Sequence, residues 1–241
     1  MKKKGIKRNL IKIIKLIIII AIITVVSVVG KIFLDGYGMY EDATKKISIQ
    51  QRVEQIRSDK NYADIDKIPK DYTNAVIAIE DHRYQYHGGI DYISTFRAVL
   101  KNVLSGQLAE GGSTITQQLA KNMYFTQEKK FERKVAELLV AFELEKKYSK
   151  DDILEMYINI AYYGNGYIGI KEASKGYLYK EPIEMTLYEA TLLAGLPNAP
   201  SVYALNENPD LAKERQIQVL NSMVKYNYIT KEEAQEVINS K

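Results

Sequence analysis

The 241-residue chain contains no cysteine. That excludes a disulfide framework, a thiolate nucleophile and any Cys-based metal site, although it does not by itself fix the redox compartment. Histidine is almost as scarce, with only His82 and His87 present, and the menu of metal ligands shrinks accordingly. No acidic residue occurs before Asp35. No alternating apolar and polar stretch of convincing length occurs anywhere, so a sheet has no support in the pattern. Internal repeats and low-complexity tracts are absent too.

What remains is enough for a globular body. Hydrophobic residues make up 46% of the chain, and amphipathic stretches recur regularly, so one main domain with a sizeable core is expected. The N-terminus sets the compartment. From Leu16 to Gly30 the chain is uncharged, and the apolar character extends over 10–34 if Lys12, Lys15 and Lys31 snorkel towards headgroups. Lys2, Lys3, Lys4, Lys7 and Arg8 precede this run, whereas Asp35, Glu41 and Asp42 follow it. The positive-inside rule therefore expects a cytoplasmic tail over 1–9, an anchor over 10–34 and an extracytoplasmic remainder. A cleaved signal peptide is the competing reading, and the lack of an A-x-A-like site argues against it. Beyond residue 34 the chain holds 26 basic and 30 acidic side chains, a net charge of −4. Nucleic acid is accordingly not an expected partner, because the basic excess is confined to the segment that meets the membrane.

The outer body reads as all-α. Residues 35–69 look like a polar, membrane-proximal connection with short helical pieces, and 70–241 like the main domain. "NAVIAIED" has the look of a buried helix. Asp91 is a candidate N-cap for a helix in which Ile93, Phe96, Leu100 and Val103 share a face and which ends before Gly106. "SGQLAEGG" is a loop by composition. Thr114 with Gln117, and Ser149 with Asp152, have the spacing of capping boxes. Two further amphipathic helices, "TLYEATLLAGL" and "LAKERQIQVLNSMVKY", flank the turn "PNAPS".

Two segments carry candidate chemistry. "AIEDHRYQYHGG" places Glu80 and Asp81 between an apolar run and a patch with both histidines. In "KFERKVAELLVAFELEKK", the wheel puts Phe131, Val135, Leu138, Leu139 and Phe142 on the buried side and Glu137 roughly opposite, among Lys130, Arg133 and Lys134. On that helix alone, a solvated face with an Arg133–Glu137 pair is the expectation.

Together these segments are more specific. "EDHRYQYHGG", "EGGSTITQQLAKN", "RKVAE" and "KDDILEMYIN", in this order and spacing, resemble the motifs of the peptidoglycan glycosyltransferases, glycosyltransferase family 51. Arg215 with Val219 and Leu220 makes a weaker fifth match, and "LLAGLPNAPSVY" is also similar to the family. Tyr84 stands where the first motif usually has Phe, and Gln216 where the fifth usually has a second basic residue. No transpeptidase domain follows, so the chain looks like the monofunctional type.

The resemblance implies a lysozyme-like helical fold with a small membrane-proximal lobe. It also implies polymerisation of lipid II into β-1,4 glycan strands, with inversion and release of undecaprenyl diphosphate. An alcohol needs a carboxylate to take its proton as it attacks, and the match makes Glu80 that general base. A departing diphosphate needs fixed cations, for which Arg97, Lys121, Lys129, Arg133 and Lys134 are the candidates. Glu137 matches the family's second glutamate, which overturns the solvated-face reading. Surrounded by cations it should stay ionised, suited to orienting them or a metal. A divalent cation, Mg or Mn, is accordingly considered at the diphosphate. Ser113, Thr116, Gln117 and Gln118 would supply hydrogen bonds to sugar or diphosphate. His87 reads as structural, and Asp81 either as a partner of Glu80 or as an interior hydrogen-bonding residue. Lipid II, the growing strand, the membrane and cell-wall synthases are the implied partners.

Two other functions compete, a lysozyme-like glycan hydrolase and an inactive membrane-anchored scaffold. "GNGYIG" reads as a dinucleotide fingerprint but follows a predicted helix instead of a strand, and is rejected on that ground. The nineteen tyrosines are assigned mostly to ordinary core and surface positions.

Overall fold

The computed structural model describes residues 2–105, 111–126 and 130–240, and among these every regular element is helical. The all-α expectation holds. The first helix, α1 (Lys2–Lys46), is unbroken and includes a stretch long and apolar enough to cross a membrane. At 1.5 Å per residue its 45 residues extend roughly 68 Å, about twice a hydrocarbon core of ~30 Å. Its C-terminal part therefore does something else. Residues 35–46, expected as part of a connection, continue the helix and lie along α6 (Phe131–Lys147). Gly36 makes that approach feasible, since a Cβ there would meet both the Glu132 carbonyl and the Val135 Cβ at 2.6 Å. Tyr40 donates its hydroxyl to Glu143 farther along the same crossing. The boundary expected after residue 34 is thus not a break in the backbone.

After α2 (Ile49–Arg57), which a Ser48/Gln51 capping box opens, Pro69 starts α3 (Lys70–Glu80). Tyr72, Ala75, Val76, Ile77 and Ala78 bury this helix against α9 (Leu187–Gly195) and α11 (Pro209–Lys225). Next come α4 (Tyr92–Ser105) and α5 (Ile115–Tyr124), the latter lying between α6 and α7 (Lys150–Ile160). The chain is completed by α8 (Ile170–Leu178), the short α10 (Pro200–Tyr203) and α12 (Lys231–Asn239). One continuous core, including Leu119, Val140, Leu144, Ile153 and Met156, joins the α3 group to the α5 group. Capping boxes at Ser149/Asp152, Thr186/Glu189 and Thr230/Glu233 fix three more helix starts, each worth about 1 kcal/mol. The box expected at Thr114/Gln117 is half formed. Thr114 accepts from the Gln117 N–H, but the Gln117 amide turns to the Gly89 carbonyl.

Two helical faces differ from expectation. On α4, Ile93, Phe96 and Leu100 all face outward, with Phe96 70% exposed; Val103 and Gly106 lie outside the described side chains. On α6 the wheel is inverted. Phe131 is 78% exposed and Phe142 is exposed, whereas Ala136, Glu137, Val140, Ala141 and Leu144 are buried. The apolar pattern records affinity for non-aqueous surroundings in general, and here α5 covers the opposite side while α1 lies along the Val135 side. "GNGYIG" forms the turn between α7 and α8, with positive φ at Gly164, Asn165, Gly166 and Gly169, which accounts for its glycines without a nucleotide.

Candidate active site

Glu80 is the last residue of α3 and points its carboxylate towards α5 and α11. Its Oε2 accepts a 2.7 Å hydrogen bond from Gln118 Nε2, and its Oε1 lies 3.5 Å from an Arg215 nitrogen. Gln118 in turn accepts a 3.1 Å bond from the Tyr157 hydroxyl of α7. Gly195 leaves room for the Arg215 stem, because a Cβ at this point of α9 would sit 2.8 Å from Arg215 Cγ.

Asp81 leaves the helix line at the C-cap and turns inward. Its Oδ2 accepts the Ile115 N–H at 3.0 Å, at the start of α5, where the helix dipole favours an anion. Its Oδ1 meets His87 Nε2 at 2.8 Å, and His87 Nδ1 faces the Gly88 carbonyl at 2.6 Å. Both ring nitrogens face acceptors, an arrangement that only the imidazolium fully satisfies. Burial pulls the His87 imidazole down, but the Asp81 carboxylate and the Gly88 carbonyl outweigh it and the net shift is upward. Asp81 thus bonds to Ile115 and His87, and it borders the same cavity as Glu80.

On the other side of Gln118, Lys121 is lowered by burial and by the nearby Arg133 charge, with Glu80 opposing the shift. Lys134 donates to Ser113 Oγ at 2.8 Å and pairs with Glu137 Oε2 at 3.1 Å; Arg133 pairs with the other Glu137 oxygen. Burial and the Arg133 and Lys121 charges push Lys134 down to about 8. Glu137 itself is only 1% exposed. The Arg133–Glu137 pair foreseen on a solvated face therefore forms in the interior.

A cavity of about 690 Å³ joins the two halves, with Glu80, Arg97, Ser113, Gln118, Lys121 and Arg215 in its walls. Glu137, Arg133 and Lys134 stand behind Ser113, connected to the cavity through the Lys134–Ser113 bond. Thr116 and Gln117 are absent from this lining. The Thr116 hydroxyl donates to Glu145 at 2.5 Å, and both side chains are buried, so they shape the start of α5 and present nothing to a ligand. Lys129 lies outside the described residues. Among the described residues, no carboxylate cluster suited to a divalent cation adjoins the cations. Glu137 is a single carboxylate already held by two cations, whereas magnesium or calcium takes six or more oxygen ligands. Asp81, His87 and Asp91 do converge, their ligand atoms lying within 4.8 Å of one another. Their valences are used, however, by the Ile115 N–H, the Gly88 carbonyl, Arg83 and the α4 cap.

A potential base and a set of fixed cations thus share one cavity in an all-α frame. The profile of the transglycosylase family matches residues 48–224. The chain belongs to the transglycosylase family. Among relatives of this chain, penicillin-binding protein 1F of Bacillus subtilis is 42% identical over 210 residues, covering 86% of the chain and 29% of that protein. Penicillin-binding protein 1A of Aquifex aeolicus is 43% identical over 178 residues, covering 74% of the chain and 24% of that protein. A Cupriavidus necator protein with the provisional name transglycosylase H16_A0665 is 40% identical over 191 residues, covering 79% of the chain and 82% of that protein. The chain therefore spans less than a third of the two penicillin-binding proteins it matches.

The chain's two departures from the family pattern have local explanations. Tyr84 is buried, and its extra hydroxyl donates to the Lys150 carbonyl at 2.7 Å. Gln216 points away from the cavity and donates to Tyr188 and Thr191 of α9, so a basic residue is not needed there for the site's charge. Sequence reasoning assigned no role to Tyr157 or to the Arg215 contact with Glu80. Both residues stood inside recognised motifs, which was the available signal.

Proposed function

We propose that this transglycosylase polymerises lipid II into β-1,4 glycan strands, with inversion at the donor carbon and release of undecaprenyl diphosphate. The observation that carries this reading is the shared cavity, in which Glu80 faces the same space as Lys121 and Arg97. The acceptor 4-hydroxyl gives its proton to Glu80 as its oxygen bonds to the anomeric carbon. The bond from that carbon to the diphosphate breaks, and the electron pair leaves with the diphosphate. Negative charge then grows where Lys121, and Lys134 through Ser113, are already fixed, and their orientation costs nothing at the moment of reaction. Glu137 holds Arg133 and Lys134 in place. Gln118 and Ser113 are the polar groups of the second motif that line the cavity.

The same reading places the N-terminal tail in the cytoplasm and the catalytic body outside, supported by the basic residues that precede the apolar run. The outward apolar face of α4 and the exposed Phe131, near where α1 meets α6, suit a body resting on the bilayer from which its lipid-linked substrate comes. Incubation with purified lipid II, and separately with finished glycan, tests the proposal. Lengthening of the first with the second left intact is expected; cleavage of the finished glycan points to a hydrolase, and no reaction with either to a scaffold.

A further inference from the structure

Tyr157 has no place in the chemistry above, yet it is fully enclosed in the core with its hydroxyl aimed at the cavity wall. Its one described hydrogen bond goes to Gln118 Oε1 at 3.1 Å. That contact anchors the Gln118 amide from the side opposite Glu80. The Glu80 carboxylate, acting as a base, can only accept, so the amide nitrogen is turned to Glu80 Oε2, 2.7 Å away, and the amide oxygen is left to accept from the Tyr157 hydroxyl. The three groups come from three different helices, α7, α5 and α3, so the alignment is set by the packing of the core and not by local sequence.

We infer that Tyr157 is a positioning residue for the general base, acting through Gln118, and that it makes Glu80 Oε1 the proton-accepting atom. This rests on the reading of Glu80 as that base. Oε2 is engaged by the short Gln118 bond, whereas among the described residues Oε1 has only the longer Arg215 approach of 3.5 Å. The carboxylate is consequently held at one oxygen and presented at the other. Without the Tyr157 hydroxyl the amide oxygen loses its anchor in the core, Gln118 is held by Glu80 alone, and the two side chains can move together out of line. Substrate contacts are untouched, so the effect falls on turnover and not on binding.

The test is steady-state polymerisation of lipid II by the full chain carrying Tyr157→Phe, Gln118→Met or both, with Glu80→Gln alongside. Tyr157→Phe is expected to lower kcat about tenfold, the rate equivalent of one hydrogen bond, with KM unchanged. The double variant is expected to be no slower than Gln118→Met alone, because one relay cannot be broken twice. A purely structural role for the tyrosine gives additive losses instead. If Tyr157→Phe does not fold, 3-fluorotyrosine at position 157, which keeps ring and hydroxyl and changes only the donor strength, decides: kcat shifts at constant KM if the relay operates, and parental kcat overturns it. Parental turnover in Tyr157→Phe while Glu80→Gln is inactive overturns the relay and leaves the base assignment standing. Parental turnover in Glu80→Gln removes the base assignment itself.

Discussion

Replacing Glu137 by Gln keeps the side chain's volume and removes its charge from between Arg133 and Lys134. The consequence depends on whether that pair belongs to the interior or to the surface. Glu137 is 1% exposed, while the side chains of its partners are 13% exposed for Arg133 and 40% for Lys134. Removing one member of a buried ion pair costs about 3–5 kcal/mol, because the opposite charge stays behind in a poorly solvated place. Lys134, 40% exposed, keeps some access to water, which moves the expectation to the lower end, about 3 kcal/mol. For a body of this size that is a fall of roughly 6–12 °C in unfolding midpoint, measurable by circular dichroism of the detergent-solubilised protein. An exposed i,i+4 pair is worth only about 0.3–0.5 kcal/mol. A loss under about 1 kcal/mol would therefore refute the buried assignment and restore the solvated face that the helical wheel suggests.

Lys134 supplies a second prediction. Its folded pKa of about 8 lies below its ordinary 10.5, so the unfolded chain binds more protons there, and this group's contribution to stability rises with pH between about 8 and 10.5. Polymerisation should move the opposite way and fall as pH passes about 8, with Lys134→Arg extending activity to higher pH; identical alkaline limbs in the two proteins would count against the role. Tyr84→Phe removes the buried bond to the Lys150 carbonyl and should cost about 1 kcal/mol in thermal or denaturant unfolding while leaving turnover unchanged. Gly195→Ala forces the Arg215 stem to shift from the 2.8 Å approach and should reduce turnover more than stability. A variant with normal kcat would show that the Arg215 position is immaterial.

The all-helical architecture was legible because it rests on local signals. Asp91 and the Ser149/Asp152 box behave as their spacing suggests, and "NAVIAIED" lies almost wholly in the buried α3. The burial of faces was less legible. Phe131, Phe142, Ile93 and Phe96 are apolar yet outward, because a sequence pattern cannot distinguish a protein core from another non-aqueous neighbour. Glu137 shows the converse, a charged residue on the polar side of its wheel that tertiary packing buries with its cations. Within the site, the motif spacing placed Glu80, Ser113, Gln118 and Lys121 in one cavity's walls, but it could not say which of the adjacent residues Thr116, Gln117 and Gln118 turns outward. That is set by Glu145 and the Gly89 carbonyl, which approach α5 from distant parts of the chain.

The most direct test of the central claim, that Glu80 takes the proton of the attacking sugar, is single-turnover polymerisation of lipid II by Glu80→Gln beside a direct measurement of lipid II binding. Binding should survive, and the rate should fall by about 10²–10⁴-fold, the usual contribution of a positioned base. Glycan strands formed at the parental rate would contradict the account.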